Sequence, residues 1–319
     1  MCKKNYGKPK IPVLVVFAPT ACGKTALAED LFAKSSFSSF KGRAEVISAD
    51  SQSVYIGMDV GTAKPSKEEL EQLPHHLINL VTPDVQFGAG DFLPLADKKC
   101  EEIFSRNKLP VVLGGTGFYI RNFIFGLPKT PESDPLLRQS LMDEAKKNGN
   151  KELFAELKKV DPVYAEKINP ADSYRICRAL EVFKLTGKPL SSVEIPSVPR
   201  EKYNFKIIIL TRDRKSLYER IDLRVEKMFA DGLPEEVERL KKSGLTAQSP
   251  GMKAIGYREF FAENSSLESI KNQIKFDSHR YAKRQYTFMK EIPNAEIFDA
   301  DNKTELEKSI LDFCASVLN

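Results

Sequence analysis

The sequence predicts an α/β protein: a parallel sheet covered by helices and interrupted by one small all-helical domain. Three observations carry this. Short apolar runs rich in β-branched residues at 13–18, 45–48, 109–113 and 206–210 read as strands, and the segments between them place apolar residues at helical spacing. Two of these runs leave directly into glycine-containing loops, 18–25 and 114–117, in the same sense, as strands of a parallel sheet do at their carboxyl ends. Between residues 127 and 200 the texture changes to prolines and three helical patterns. The expected boundaries are 11–128 and 203–319 for the α/β core, 129–202 for the inserted helical domain, and 1–10 for a basic, flexible N-terminus. A chain of 319 residues that is 41% hydrophobic has enough apolar material for such a core and for roughly two domains.

The first run organises the rest. It feeds a tight turn and then Gly23-Lys24-Thr25 at a helix start, so several backbone N–H groups and the positive helix end aim at one spot. Lys24 adds a charge and Thr25 offers a hydroxyl to Mg²⁺, which makes the core P-loop NTPase-like in expectation. The usual spacing is G-x-x-x-x-G-K-[ST]. Here Ala18 stands at the first Gly, at an expected cost of about 1 kcal/mol if that position is left-handed.

Composition narrows the function classes. The longest apolar run is far below the ~20 residues of a membrane span, and residues 1–10 carry four lysines and no apolar stretch. Neither export nor a membrane anchor is expected, and the cytoplasm fits best. Five cysteines, Cys2, Cys22, Cys100, Cys177 and Cys314, form no C-x-x-C pair, which argues against a disulfide framework or a zinc site. The net charge of +5 is small but unevenly placed: Lys271, Lys275, Arg280, Lys283, Arg284 and Lys290 face only Asp277 in their stretch. Interleaved with Tyr281, Tyr286 and Phe288, this stretch suits a nucleic-acid backbone with bases to stack, or else a solvated helix face.

In chain order, a helix is expected over 26–33 and a second strand over 45–48. Asp50 follows that strand, where it serves as a catalytic carboxylate or a helix cap. The segment 54–65, with two glycines and a proline, reads as a loop shaping a pocket. His75 and His76 are adjacent rather than i, i+4, so a structural or substrate-orienting role is expected rather than metal chelation. A helix over 91–106 precedes the third strand, whose glycine loop offers the Thr116 hydroxyl. The insert's helices fall at 136–147, 151–160 and 174–186, with Arg138, Arg175 and Arg178 facing a polyanion or paired on the surface. After the strand at 206–210, a long helix from Ser216 carries Arg220 and Arg224 and ends at Gly232. Helices at 234–242 and 303–318 complete the chain.

These residues resemble the bacterial type of the tRNA dimethylallyltransferase (isopentenyltransferase) family over roughly residues 11–290. The resemblance rests on PTxxGKT at Pro19 to Thr25, ISADSQSVYIGMDVGTAKP at 47–65, PHHLI at 74–78 and GGTGFYI at 114–120. It continues through DPVYAEKINPADSYRICRALEV at 161–182, AIGYRE at 254–259 and YAKRQYTF at 281–288. Departures are Ala18 for the first Gly, Cys22 for a Ser, Asn79 for an Asp, Gly88 for a Ser, Phe288 for a Trp, and no C-terminal zinc finger. None removes a group to which chemistry is assigned.

The resemblance implies transfer of a dimethylallyl group from dimethylallyl pyrophosphate to N6 of adenosine 37 of tRNA, beside the anticodon, with release of pyrophosphate. It implies Asp50 as general base, with Thr116 and Arg224 as further catalytic residues, and pyrophosphate held by Ala18, Pro19, Thr20, Ala21, Cys22, Gly23, Lys24 and Thr25, the last on Mg²⁺. It implies tRNA contacts from Asp50, Ser51, Gln52, Ser53, Thr116 and Arg138, and from Tyr174, Arg175, Ile176, Cys177 and Arg178 of the insert. Further contacts are implied from Lys253, Ala254, Ile255, Gly256, Tyr257 and Arg258, and from Lys283, Arg284, Gln285, Tyr286, Thr287, Phe288, Met289 and Lys290. Tyr174, Tyr257, Tyr286 and Phe288 are the aromatics expected to stack on bases. A monomer is expected. Prenylation of free adenine nucleotide, a P-loop kinase or NTPase, and an RNA-binding module without catalysis are the competing classes.

Overall fold

The computed structural model describes residues 9–318, so most of the expected N-terminal segment 1–10, with Cys2, lies outside the described residues. Six strands make one sheet: β1 (Ile11–Phe17), β2 (Ala44–Ser48), β3 (His75–His76), β4 (Leu109–Gly114), β5 (Tyr203–Thr211) and β6 (Glu296–Asp299). The order is β3-β2-β4-β1-β5-β6 and every pairing is parallel. The central strands β1, β2 and β4 are covered on both faces, which is why they read as continuous apolar runs rather than alternating ones.

Helices are numbered along the chain. The first four, α1 (Lys24–Phe32), α2 (Lys67–Gln72), α3 (Ala89–Ser105) and α4 (Gly117–Phe125), belong to the first pass through the core. The segment that follows carries α5 (Pro135–Asn148), α6 (Asn150–Val160), α7 (Pro162–Ala165) and α8 (Ser173–Thr186). On returning, the chain forms α9 (Arg214–Ala230), α10 (Leu233–Lys242), α11 (Leu267–Met289) and α12 (Lys303–Leu318). Two compact units result, one running to Phe125 and resuming at Pro199, the other spanning Gly126–Val198. No described helix is long and apolar enough to cross a membrane.

In the first unit the register sets the level of the loops. Phe17 pairs with Gly114 on one side and Ile209 on the other, and Ser48 pairs with Leu113, so the chain leaves β1, β2 and β4 at one edge. Gly114 makes that convergence possible, because a Cβ there would lie 2.1 Å from the Ala49 carbonyl oxygen. The two edge strands carry no apolar run: β3 is two residues long, and β6 is largely exposed. Both histidines of β3 are structural. His75 Nδ1 meets Leu73 O at 2.8 Å, and His76 Nε2 meets Glu45 Oε2 at 2.7 Å. Cys22, Cys100, Cys177 and Cys314 are free and buried.

The second unit is built by α5, α6 and α8 around Leu141, Leu153, Leu157, Ile176 and Leu180. Its organising polar group is Glu181, fully buried on α8. One carboxylate oxygen accepts from Ser133 Oγ at 2.7 Å and Asp134 N at 2.8 Å, and the other from Arg138 Nη2 and Arg178 Nη1, both at 2.8 Å. Burial pushes this carboxyl up, but the hydrogen bonds of Arg178 and Ser133 and the charge of Arg138 outweigh it and hold it below the usual range. The stabilisation is therefore present at neutral pH and lost as pH falls through the lowered folded-state pKa. Glu181→Ala strands two guanidinium groups and two donors, and should cost the unit about 3–5 kcal/mol. Hydrogen exchange is expected to accelerate across residues 126–198 while β1 and β4 keep their protection.

Candidate active site

The phosphate loop is shaped by backbone alone. Gly23 is left-handed (φ +102°) and caps α1 without a side-chain hydrogen bond, so the first N–H groups of the helix stay available to a ligand. Ala18 is not left-handed, so the conditional cost does not arise: it is fully buried and donates its N–H to Gly114 O at 3.2 Å, and the left-handed alanine of the loop is Ala21 (φ +60°). The Thr20 N–H donates to Gln285 Oε1 at 3.2 Å, and the Thr25 side chain is exposed at the helix start. Cys22 is a packing residue: burial pushes its thiol up despite the nearby Arg212 and Lys24.

Cations gather at this loop. A cavity of about 410 Å³ is lined by Ala21, Gly23, Lys24, Thr25, Ala26, Arg220, Leu223, Arg224 and Lys227, which include four cations and no carboxylate. The arginines of α9 are steered by carbonyls: Arg220 Nε donates to Ala21 O at 2.9 Å and Arg224 Nη2 to Thr62 O at 3.3 Å. Arg212, just after β5, reaches Cys22 O at 3.4 Å and pairs with Asp301. Burial and the charge of Arg224 bring the Lys24 ammonium down to about 8, against the opposing pull of Asp50. Burial also lowers Arg224, again opposed by Asp50.

Asp50 is fixed at the end of β2 by its neighbours. Its Oδ1 accepts from Gln52 N at 2.8 Å, and the loop around it is stapled to the glycine loop after β4. In that staple Ala49 N donates to Leu113 O at 2.9 Å, Thr116 N to Ala49 O at 3.2 Å, and Ser51 N to Thr116 Oγ1 at 2.9 Å. The carboxylate lies within electrostatic reach of Lys24, Arg224, Tyr119 and Tyr281. Tyr281 is pushed up to about 12 by burial and by Asp50, with a hydrogen bond to Thr116 opposing. Phosphate loop, carboxylate and Thr116 thus lie at one edge of the sheet.

The loop at 54–65 is held from inside. Glu236 of α10, buried, accepts from Asp59 N, Val60 N and Gly61 N at 2.9, 3.0 and 3.3 Å and from Tyr257 Oη at 2.6 Å. Lys64 Nζ answers from the other side, on Asp59 Oδ1 at 2.8 Å and Asn79 Oδ1 at 2.6 Å. Gly61 must be glycine because a Cβ would lie 2.5 Å from the Tyr257 ring.

The residues expected to touch RNA divide in two. Lys253, Arg258, Lys283, Arg284, Thr287 and Lys290 are exposed in the first unit, and Tyr174 and Arg175 in the second. By contrast Ser53, Ala254, Gly256, Tyr257, Gln285 and Met289 are enclosed, as are Ile176 and Cys177, so their side chains support neighbours rather than meet a ligand directly. The stacking expected of Tyr257 is corrected, since its ring is fully buried and its hydroxyl belongs to Glu236. Tyr286 packs on the core and its hydroxyl bonds Arg212 N and O. Arg138 and Arg178 are committed to Glu181, and Arg138 lies 5.2 Å from the centroid of the Tyr174 ring. Lys271 and Lys275 of the basic stretch are spent on Glu226 at 3.0 and 2.5 Å. Among the described residues Lys283 and Arg284 form no ion pair. Sequence reasoning missed Glu236 and Arg212, whose partners lie far along the chain, and Lys64, whose partners Asp59 and Asn79 are near in sequence. It counted Arg220 only as a helix flank.

A glycine-turned anion loop, a cationic cavity and a carboxylate at the carboxyl edge of a parallel sheet define a P-loop α/β protein equipped to act on a phosphate ester. A family model described as IPP transferase matches residues 53–292, and the chain belongs to that family. Among curated relatives, tRNA dimethylallyltransferase 1 of Syntrophotalea carbinolica is 42% identical over 292 residues, covering 90% of this chain and 91% of its own. The tRNA dimethylallyltransferase of Thermoanaerobacter sp. (strain X514) is 40% identical over 319 residues, covering 97% and 99%. The crystal structure of the full-length tRNA isopentenylpyrophosphate transferase of Bacillus halodurans aligns over 97% of both chains at 36% identity and TM-score 0.66. A eukaryotic dimethylallyltransferase solved acting on tRNA aligns over 97% of this chain and 80% of its own at 26% identity and TM-score 0.78.

The Lys24 pKa yields a pH prediction. An anion binds the protonated ammonium, so affinity for inorganic pyrophosphate should fall as pH rises through about 8. Calorimetric titration of the wild type and Lys24→Met checks this. The variant should bind more weakly and lose that part of the pH dependence.

Proposed function

We propose that this chain transfers the dimethylallyl group of dimethylallyl pyrophosphate to the exocyclic N6 of adenosine 37 in tRNA, releasing pyrophosphate. The observation that carries the reading is the placement of Asp50 within electrostatic reach of Lys24 and Arg224, at the edge where the phosphate loop opens. The adenine amine attacks the allylic C1 and the C1–O bond breaks. Pyrophosphate leaves with the bonding electrons, and the proton released from nitrogen passes to the Asp50 carboxylate. Lys24, Arg220, Arg224 and the loop N–H groups take up the charge that develops on the leaving group.

The site suits Mg²⁺ in the manner of phosphate-bound magnesium. Among the described residues no cluster of His, Cys, Asp and Glu forms a protein cage, and the exposed Thr25 hydroxyl beside the cavity is the one ligand the loop offers. Bound there with substrate phosphates, Mg²⁺ would neutralise pyrophosphate charge.

An adenine in an anticodon loop reaches such a site only when flipped from its stack, at a cost of a few kcal/mol that contacts elsewhere must offset. Lys283, Arg284, Lys253 and Arg258 in the first unit, and Tyr174 and Arg175 in the second, are exposed and of the right chemistry to supply them. Free adenine nucleotide as acceptor has no use for that surface.

Labelled dimethylallyl pyrophosphate with Mg²⁺, incubated with unmodified tRNA, with AMP, or alongside ATP, tests the reading. Label should enter tRNA alone; label in AMP only, or phosphate release from ATP without prenylated tRNA, would overturn it. Asp50→Ala should lower turnover by ~10²-fold or more with tRNA affinity largely kept. Neutralising Lys283 and Arg284 should flatten the salt dependence of tRNA binding by up to ~1 log unit per lost phosphate contact, read from filter binding over a salt series.

A further inference from the structure

Gln285 lies enclosed on α11, and its amide makes two bonds to two separate loops. Nε2 donates to Gly115 O at 2.7 Å and Oε1 accepts from Thr20 N at 3.2 Å. One planar group therefore bridges the glycine loop after β4 and the phosphate loop after β1. Gly115 leaves the room for it, since a Cβ there would come within 2.4 Å of Gln285 Nε2. Neighbours on the same face address the same loop. Tyr281, one turn earlier, hydrogen-bonds Thr116, and Phe288, one turn later, lies where a Cβ on Gly117 would fall 2.6 Å from its ring. The exposed side of that helix carries Lys283, Arg284 and Thr287.

We propose that Gln285 is a positioning residue for the pyrophosphate site: its amide pins Thr20 to Gly115 and so sets the shape in which the phosphate loop meets its anion. The bridge needs a donor toward a carbonyl and an acceptor toward an N–H from one rigid group. A primary amide supplies both, and so does a protonated carboxyl, but an ionised carboxylate turns a second acceptor against Gly115 O. The identity of the anion as prenyl pyrophosphate rests on the function proposed above, while the bridge itself does not.

The test is Gln285→Glu in the full chain, with inorganic pyrophosphate titrated by calorimetry against the wild type across about pH 5.5 to about pH 8, the ratio of the two affinities being the readout. Near pH 8 the variant should bind about tenfold or more weakly. The ratio should close toward unity at low pH, where the enclosed carboxyl regains its proton and restores both bonds. In the prenylation assay KM for the donor should rise by a similar factor while tRNA affinity stays within about twofold. A ratio that does not change with pH overturns the proposal, as does unchanged pyrophosphate affinity accompanied by weakened tRNA binding, which would make Gln285 an RNA contact. Should Gln285→Glu fail to fold near neutral pH, Gln285→Met carries the test, because it removes both bonds of the bridge without placing a group against the Ala18 carbonyl. Weaker pyrophosphate binding with no pH-dependent recovery supports the proposal, and unaltered binding sinks it. Because pyrophosphate binding is read without prenyl transfer, a chain that passes this test yet prenylates nothing would overturn only the proposed function.

Discussion

Four cations facing one small cavity repel one another, and the rest of the site follows from how they are kept there. Three of them are held by carbonyls rather than carboxylates: Arg220 is steered by Ala21 O, Arg224 by Thr62 O, and the Lys24 ammonium lies 3.5 Å from Pro19 O, while Lys227 pairs with Asp231 at 2.9 Å. A carboxylate at any of these positions would neutralise the cation and compete with an incoming phosphate. A carbonyl dipole orients it and leaves its charge unspent. Burial lowers both Lys24 and Arg224, the charge of Arg224 adds to the effect at Lys24, and the Asp50 charge opposes it at both.

Two buried carboxylates hold loops that have no ladder of their own. Glu236 satisfies three successive N–H groups of the 54–65 loop, and Glu181 ties Ser133 and Asp134 to two arginines of its own unit. Glu236 acts as an anion in a backbone nest, the role a phosphate takes at the start of α1. An irregular segment held this way keeps a fixed shape without secondary structure. For the 54–65 loop that matters directly, because Thr62 O is what steers Arg224.

This division also explains how much the sequence disclosed. Strands buried on both faces announce themselves as apolar runs, so β1, β2, β4 and β5 were legible, whereas β3 is too short and β6 too exposed to carry a pattern. The phosphate loop was legible because its chemistry is local: a turn, a Gly, a Lys and a Thr in succession. Which residue of the loop is left-handed was not legible: it is Ala21 rather than Ala18, whose N–H is tied to Gly114 O. Partnerships across more than a hundred residues were invisible, as with Glu236 for the 54–65 loop and Gln285 for Gly115. Within the basic stretch, the pairing of Lys271 and Lys275 with Glu226 of α9 was likewise not legible, whereas Lys283 and Arg284 remain exposed.

The sheet order bears on why carbon, rather than phosphorus, is the atom transferred on the proposed reading. Asp50 ends β2, which is separated from the phosphate-loop strand β1 by β4, so the two loops start two strand spacings apart, about 10 Å. A carboxylate activating attack on a phosphorus held in the loop would have to cross most of that interval. If the loop holds only the departing diphosphate, the interval is filled by an ester oxygen, an allylic carbon and an exocyclic nitrogen, which brings the nitrogen's proton to Asp50. Thr116, at the end of the intervening β4 and bonded to Ser51 N, stands between the two. On that reading its hydroxyl would stand beside the bond being exchanged.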